Sequence, residues 1–388
     1  MKLKEVYPPR GEIRKIYCDK CGKHTSLSYT TFDDLVEDIH ITIEDLPVLL
    51  CETCNCYYLP DASRFAIIYI FEQAEKKGKK QAKVRWPKRN EAFDFTEVPF
   101  LYDADDYYFI PGLKRANDGG YLTPVFFNNT VLIKFDNLPD YRISFASKTY
   151  GEIRRGDDYS IPFGINENKR VIMWLGDIAK LPLNEQYYLR SENVESDHKI
   201  GSEFYDGQIE VIFTDLPPED ELIRARSDFY ESAYKKFGIR LTHLDNEILK
   251  LLDELTPPPV YTDKEKHHVA DTLNKINIES INAQALGELL KKRGENPDNL
   301  GGLKRLQKLY EIEYPGESIS TVISLLFVLY DLRVAYSHLT SEPKKEKSIQ
   351  SICDRLSIQR KKEEDFDEVY STLVRKLIDC YRYLSQLQ

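Results

Sequence analysis

The chain has few long apolar runs and little methionine or tryptophan. No stretch of its 388 residues approaches the roughly 18 continuous apolar positions of a membrane span. The opening MKLKEVYPPRGEIRKIYC lacks the apolar core of a signal peptide, so the protein is expected to stay in the cytoplasm. Glycine and proline are unexceptional, while apolar residues make up 41% and charged residues 30%, which excludes fibrous and disordered classes. Acids outnumber bases, 64 to 54: the formal net charge of -10 excludes a general nucleic-acid coat protein but leaves room for a local basic site. Against 2 Trp and 2 Met stand 26 Tyr, a residue that serves core, partner surface and base stacking alike.

Cysteine is nearly missing after residue 56. The first 56 residues carry five of the seven, as CDKC (Cys18, Cys21) and CETCNC (Cys51, Cys54, Cys56). In a cytoplasmic chain this points to metal rather than disulfides. Each Cys-x-x-Cys turn aims two sulfurs at one point, and two turns complete the tetrahedron that zinc prefers. Cys18, Cys21, Cys51 and Cys54 are the expected ligands of a structural Zn²⁺, with Cys56, His24 and His40 as competitors for a ligand position. Four thiolates leave no open position for substrate, so no catalytic metal is expected. The stretch LPVLLCETCNCYYLPDASRFAIIYIFEQAEKKGK resembles the knuckle of YgiT-type zinc fingers, found at the N-terminus of MqsA-like antitoxins.

Length suggests two or three domains. Residues 1–90 read as a zinc ribbon followed by a helix over 61–79, with Phe65, Ile68, Tyr69 and Ala74 at helical spacing. A basic boundary follows, containing Lys76, Lys77, Lys79, Lys80, Lys83, Arg85, Lys88 and Arg89. Those eight cations read either as a solvated helix end and linker or as an RNA phosphate contact.

Residues 91–218 hold short apolar runs punctuated by Gly, Pro, Asn and Asp, which predict a β-rich domain of mixed or antiparallel strands without internal repeat or phosphate loop. This domain is expected to sense a ligand, such as a phage-derived activator, or to position RNA. Its densest polar cluster, Asp177, Glu185, Gln186, Arg190, Glu192 and Asn193, reads more readily as caps and surface than as a site.

Residues 219–388 read as helices: one long or broken helix ending at TPPP, shorter ones over 263–277, 280–293 and 300–310, an apolar one over 318–338, and an amphipathic one over 364–387. The fold class is therefore multidomain α+β, with a zinc ribbon, a β-rich centre and an all-α bundle.

Within LFVLYDLRVAYSHL, Arg333 and His338 form R-x4-H near a helix end. The arrangement resembles the HEPN superfamily, whose nucleases carry such a motif in a helical bundle, with versions in phage-defence and abortive-infection proteins. The resemblance implies that Arg333 and His338 are catalytic, that the substrate is RNA, possibly tRNA, that no catalytic metal is used, and that two chains pair to share a cleft. Active members often carry a polar residue after the arginine, where this chain has Val334.

His338 is a natural proton carrier near neutral pH, and Arg333 can fork onto phosphate oxygens. Tyr336 between them can stack a base or pack. His267 and His268 lack ligand partners at metal spacing and read as surface. The competing functional readings are a non-catalytic dimerising or docking bundle and a zinc-ribbon DNA-binding regulator.

Overall fold

A computed structural model describes residues 1–8, 14–212, 215–252, 255, 262–337, 341–360 and 365–387. The chain forms two compact units, Met1–Asp215 and Leu216–Gln388.

In the first unit a short helix, Leu3–Val6 (α1), precedes a long antiparallel hairpin of Ser26–Val36 (β1) and Ile39–Cys51 (β2). Cys56–Tyr58 (β3) folds back on the end of β2, with Cys51 opposite Cys56. Helix Asp61–Lys76 (α2) then carries the chain across the sheet to Gln81–Arg85 (β4), which pairs in parallel with the start of β2. Alternate residues Ile39, Ile41 and Ile43 of β2 are buried with Ala66, Ile67 and Phe71 of α2.

The expected helix 61–79 is thus present, but its buried stripe differs. Phe65 and Tyr69 are exposed, whereas Ile68 and Ala74 are buried. In FAIIYIF nearly every position is apolar, so periodicity alone does not select which side meets the sheet.

The rest of this unit comprises helices Ala104–Phe109 (α3), Val131–Asn137 (α4), Leu175–Ile178 (α5), Leu183–Glu192 (α6) and Glu203–Tyr205 (α7) around six antiparallel strands. The strands are Pro124–Asn128 (β5), Arg142–Phe145 (β6), Tyr150–Arg155 (β7), Tyr159–Ile165 (β8), Arg170–Trp174 (β9) and Asn193–Val194 (β10), in the order β10-β5-β9-β8-β7-β6. Both faces are covered. Val125, Phe127, Val171 and Met173 face α4 and α6 residues, including Phe135 and Leu189. Phe126, Ile172 and Trp174 enter a second core with Phe204.

Trp174 and Phe204 stack at 4.7 Å, and a Cβ at Gly164 would lie 2.4 Å from the Cβ of Phe204, so glycine allows this close approach. Ile16 and Leu27, which flank the first cysteine turn, belong to the same core. The cysteine-bearing segment and the six-stranded sheet therefore share apolar interior.

The second unit is helical among its described residues: Pro218–Phe237 (α8), Asp245–Leu252 (α9), Asp263–Asn274 (α10), Ala283–Lys292 (α11), Gly302–Glu313 (α12), Ile319–Ser337 (α13), Glu342–Leu356 (α14) and Asp365–Gln386 (α15). A π-helical turn, Lys275–Glu279, extends α10. The helix expected there as long or broken is broken: α8 ends at Gly238, whose φ of +68° is left-handed and favours glycine.

The first turn of α14 begins at Glu342, in a stretch between 338 and 364 where no helix is expected from the sequence. Pro343 in that turn costs no hydrogen bond, and Ile349, Ile352, Cys353 and Leu356 are buried at helical spacing. Helix α13 corrects the expectation that nothing approaches a span. By length and mean hydropathy, 1.6, it is apolar enough to cross a membrane, although Asp331 and Arg333 interrupt the run. Here its Leu326, Leu329 and Leu332 are buried in the core of the unit with α10, α12, α14 and α15 residues.

Leu332→Ala is expected to destabilise the helical unit by about 2–5 kcal/mol, because the side chain is 1% exposed and its removal leaves a cavity. Urea unfolding followed by far-ultraviolet circular dichroism reads this directly. An unchanged midpoint would mean that α13 is not buried.

Candidate metal centre and an arginine cluster

The two cysteine turns are shaped by residues that accept left-handed backbone. Gly22 follows Cys21 with φ +73° and Asn55 follows Cys54 with φ +47°, conformations open to glycine and tolerated by asparagine. In the first turn the Gly22 amide donates to the Cys18 carbonyl at 2.8 Å, and the Cys18 amide donates to the Lys23 carbonyl at 2.8 Å. The second turn is closed by the β2–β3 pairing.

As a result the sulfurs of Cys18, Cys21, Cys51 and Cys54 all lie within 4.8 Å of one another. A tetrahedral ion with bonds of about 2.3 Å needs sulfurs about 3.8 Å apart, so the cluster fits a structural metal. His24 instead bonds Asp206 through Nε2 at 2.8 Å, an oxygen also taken by the Tyr17 hydroxyl at 2.6 Å. His40 lies at the far end of β2, 3.5 Å from Asp33. Neither histidine joins the cluster.

The four thiols are not equivalent. The Tyr58 hydroxyl, 3.3 Å away, is the main cause that draws Cys18 down to about 5. The hydrogen bond with Cys21 pushes Cys54 up to about 12, and burial raises Cys51. Metal binding must displace protons from the raised thiols, so occupancy falls as pH falls. Beside the cluster opens a pocket of about 280 Å³ lined by residues including Lys23, Glu52, Thr53 and Lys199. Lys199 is held by Glu52 at 2.8 Å and Glu167 at 2.7 Å.

The basic boundary is more structured than a linker, because Gln81–Arg85 is strand β4. Lys80 pairs with Asp38, Lys83 with Glu44 at 2.7 Å, Arg85 with Asp45 at 2.6 Å, Lys88 with Asp103 at 2.9 Å, and Arg89 with Asp105 at 3.7 Å. Lys76 and Lys77 close α2, and Lys79 follows it. The acids that neutralise the run come from elsewhere in the chain, which composition of the run alone does not reveal.

The polar residues of 177–193 are dispersed into separate braces. Asp177 accepts from Tyr121 at 2.6 Å and from Lys180 at 2.7 Å. Glu185 accepts from Lys134 at 2.6 Å and Tyr141 at 2.5 Å, and Glu192 accepts from Thr130 at 2.6 Å. Gln186 reaches the Leu181 carbonyl, while Asn193 ties Leu101 to Phe126. Arg190 stands beside Asn193 at 3.5 Å.

A cluster that sequence reading missed lies in DADD: Asp103, Asp105 and Asp106 are all buried. Asp106 meets His198 Nδ1 at 2.7 Å and Ser196 at 2.6 Å, and Tyr29 donates to Asp105 at 3.0 Å. Three acids amid aromatic residues were the available signal.

In the helical unit Arg333 is half-buried on α13. Its Nε lies 3.4 Å from Asp271 of α10, and a terminal nitrogen lies 3.9 Å from Glu279. Asp271 also takes Lys275 at 2.8 Å. Burial alone would raise the Asp271 carboxyl, but the two cations outweigh it and hold it below the ordinary range. The Asp271–Lys275 spacing is a visible helical pair in sequence, whereas Arg333 arrives only by tertiary packing.

His338 lies outside the described residues. Tyr336 stands edge-on to Phe366 at 5.2 Å, and burial pushes its hydroxyl up to about 12. Val334 is half-buried, and His267 and His268 are exposed.

Cys51→Ser is expected to abolish stoichiometric metal, and wild-type protein should lose its metal on acidification; elemental mass spectrometry of desalted protein measures both. The His198 pair makes a second claim. Burial lowers its pKa, yet the bond and charge of Asp106 outweigh this and raise it above 6.5. Its stabilising contribution is then complete below about pH 6.5 and fades as pH rises through the folded value. Urea midpoints at pH 6 and 8 should therefore converge in His198→Asn relative to wild type.

No family model, curated protein or solved structure matches the chain.

Proposed function

We propose that the chain is a metal-independent endoribonuclease of HEPN type, with Arg333 and His338 as its catalytic pair and a structural Zn²⁺ on Cys18, Cys21, Cys51 and Cys54. The observation that carries this reading is the placement of Arg333: a cation on a largely apolar helix, half-buried and oriented by carboxylates of a second element. A buried arginine without partners is costly, and one held in position is preorganised for an anion.

RNA supplies its own nucleophile. His338 takes the proton of the 2′-hydroxyl as its oxygen bonds to phosphorus, and Arg333 stabilises the charge on the phosphorane oxygens. The bond from phosphorus to the 5′-oxygen then breaks, and a histidine from a second chain returns a proton to that oxygen. The products are a 2′,3′-cyclic phosphate and a 5′-hydroxyl. One motif supplies one histidine, so the working form is a homodimer through the helical unit. The setting is antiphage defence or toxin-type translation arrest in the cytoplasm, with tRNA as one candidate substrate and a phage-derived ligand as a candidate activator at the first unit.

A second reading is favoured by the same salt bridges. Asp271 and Glu279 already neutralise Arg333, which suits a bundle that only dimerises or docks a partner. A zinc-ribbon DNA-binding regulator is disfavoured, because five cations of the basic run are engaged by carboxylates.

Purified protein incubated with total RNA and EDTA, with and without phage-infected lysate, separates the readings. Cleavage leaving 2′,3′-cyclic ends is expected, reduced by about 10²-fold or more in His338→Ala and in Arg333→Ala. Cleavage surviving both substitutions removes the proposed site. A dimer inert in every condition supports the docking reading.

A further inference from the structure

The first unit holds five neighbouring thiols where a tetrahedral metal takes four. Cys18, Cys21, Cys51 and Cys54 form the compact set, and Cys56 stands outside it. Yet the sulfur of Cys56 is 3.9 Å from that of Cys18, and the Tyr58 hydroxyl touches both, at 3.5 Å and 3.3 Å. Cys56 is fixed there by the backbone, since it is the cross-strand partner of Cys51 where β2 meets β3. It is half-buried, so a small oxidant reaches it, and the exposed Cys21 shows that the cluster lies at the surface of its unit.

We propose that Cys56 is an oxidation site that opens the metal centre: a peroxide oxidises its thiol, and Cys18 captures the product as a disulfide. The balance is simple. The Cys56 thiol and one hydrogen peroxide give a sulfenic acid and water. The Cys18 sulfur, leaving the metal, then attacks the Cys56 sulfur; the S–O bond breaks and hydroxide departs to be protonated to water. Two thiol sulfurs lose two electrons in all, and the peroxide is reduced.

The selectivity follows from bonding. With a metal held by Cys18, Cys21, Cys51 and Cys54, the sulfur pairs of those four would be engaged with it, whereas that of Cys56, outside the compact set, would not. Closing the bond asks the two sulfurs to approach from 3.9 Å to about 2.05 Å, within the reach of side-chain rotation. The metal then keeps three thiolates, one fewer than a closed structural site requires. Because Cys51 and Cys56 are paired across β2 and β3, the change is delivered to the strand that organises the N-terminal sheet. The inference concerns the cysteine cluster and does not depend on ribonuclease activity.

The test uses the whole metal-loaded protein, titrated with hydrogen peroxide in the presence of a chromogenic zinc chelator, followed by non-reducing peptide mapping. Wild type is expected to release one metal as two thiols disappear, to yield a Cys18–Cys56 peptide, and to recover the metal after dithiothreitol and zinc. Cys56→Ser and Cys56→Ala should bind metal normally and release it roughly 10-fold more slowly. The proposal is overturned if either variant, folded by circular dichroism, releases metal at the wild-type rate. It is equally overturned if the disulfide forms within the four-cysteine set, or if loss of the Cys56 thiol abolishes metal binding and so makes it a ligand.

Discussion

Four sulfurs carried by two turns must converge on one point, and much of the first unit can be understood from that requirement. The turns are separated by the whole length of the β1–β2 hairpin, so the hairpin register sets whether Cys51 returns to the level of Cys21. Strand β2 is the common member: β1 pairs along one edge, while β3 and β4 share the other. The cysteine turn at its end thereby inherits the rigidity of a sheet, and Ile16 and Leu27 anchor the opposite turn in the core beside the six-stranded sheet.

Electrostatics in this unit are local. The chain is acidic overall, and five of the eight cations in its densest basic run pair with carboxylates of β2, the β1–β2 turn and the DADD segment. The exposed pairs among them, Lys80–Asp38, Lys83–Glu44 and Arg85–Asp45, add little stability each. Their effect is to flatten the positive potential that the run would otherwise present to a polyanion. The buried acids differ: with His198, Tyr29 and Ser196 they form a desolvated polar network, where leaving one group without its partner is costly.

In the helical unit the polar logic is inverted. An apolar helix, α13, carries a single arginine at a position half open to its neighbours, and that arginine is aligned by Asp271 and approached by Glu279. The same contacts can preorganise a phosphate-binding fork or simply neutralise a buried charge. Elsewhere in the unit two buried tyrosine hydroxyls are paired, Tyr370 with Glu219 and Tyr381 with Asn277.

Much was legible in the residues themselves. Two Cys-x-x-Cys turns announce a metal cluster because their spacing already places sulfurs in pairs, and Gly22 and Asn55 supply the backbone freedom the turns need. The apolar periodicity of α13 and α15 announces a helical bundle, because burying such stripes requires neighbouring helices. What could not be read was anything set by contacts distant in sequence. The exposed side of α2, the helical start of α14, the acids that quench the basic run and the carboxylates that claim Arg333 all depend on which surfaces meet. Cys56 is the sharpest case: sequence offers five similar thiols, and only the pairing of β2 with β3 leaves one of them outside the cluster yet beside Cys18.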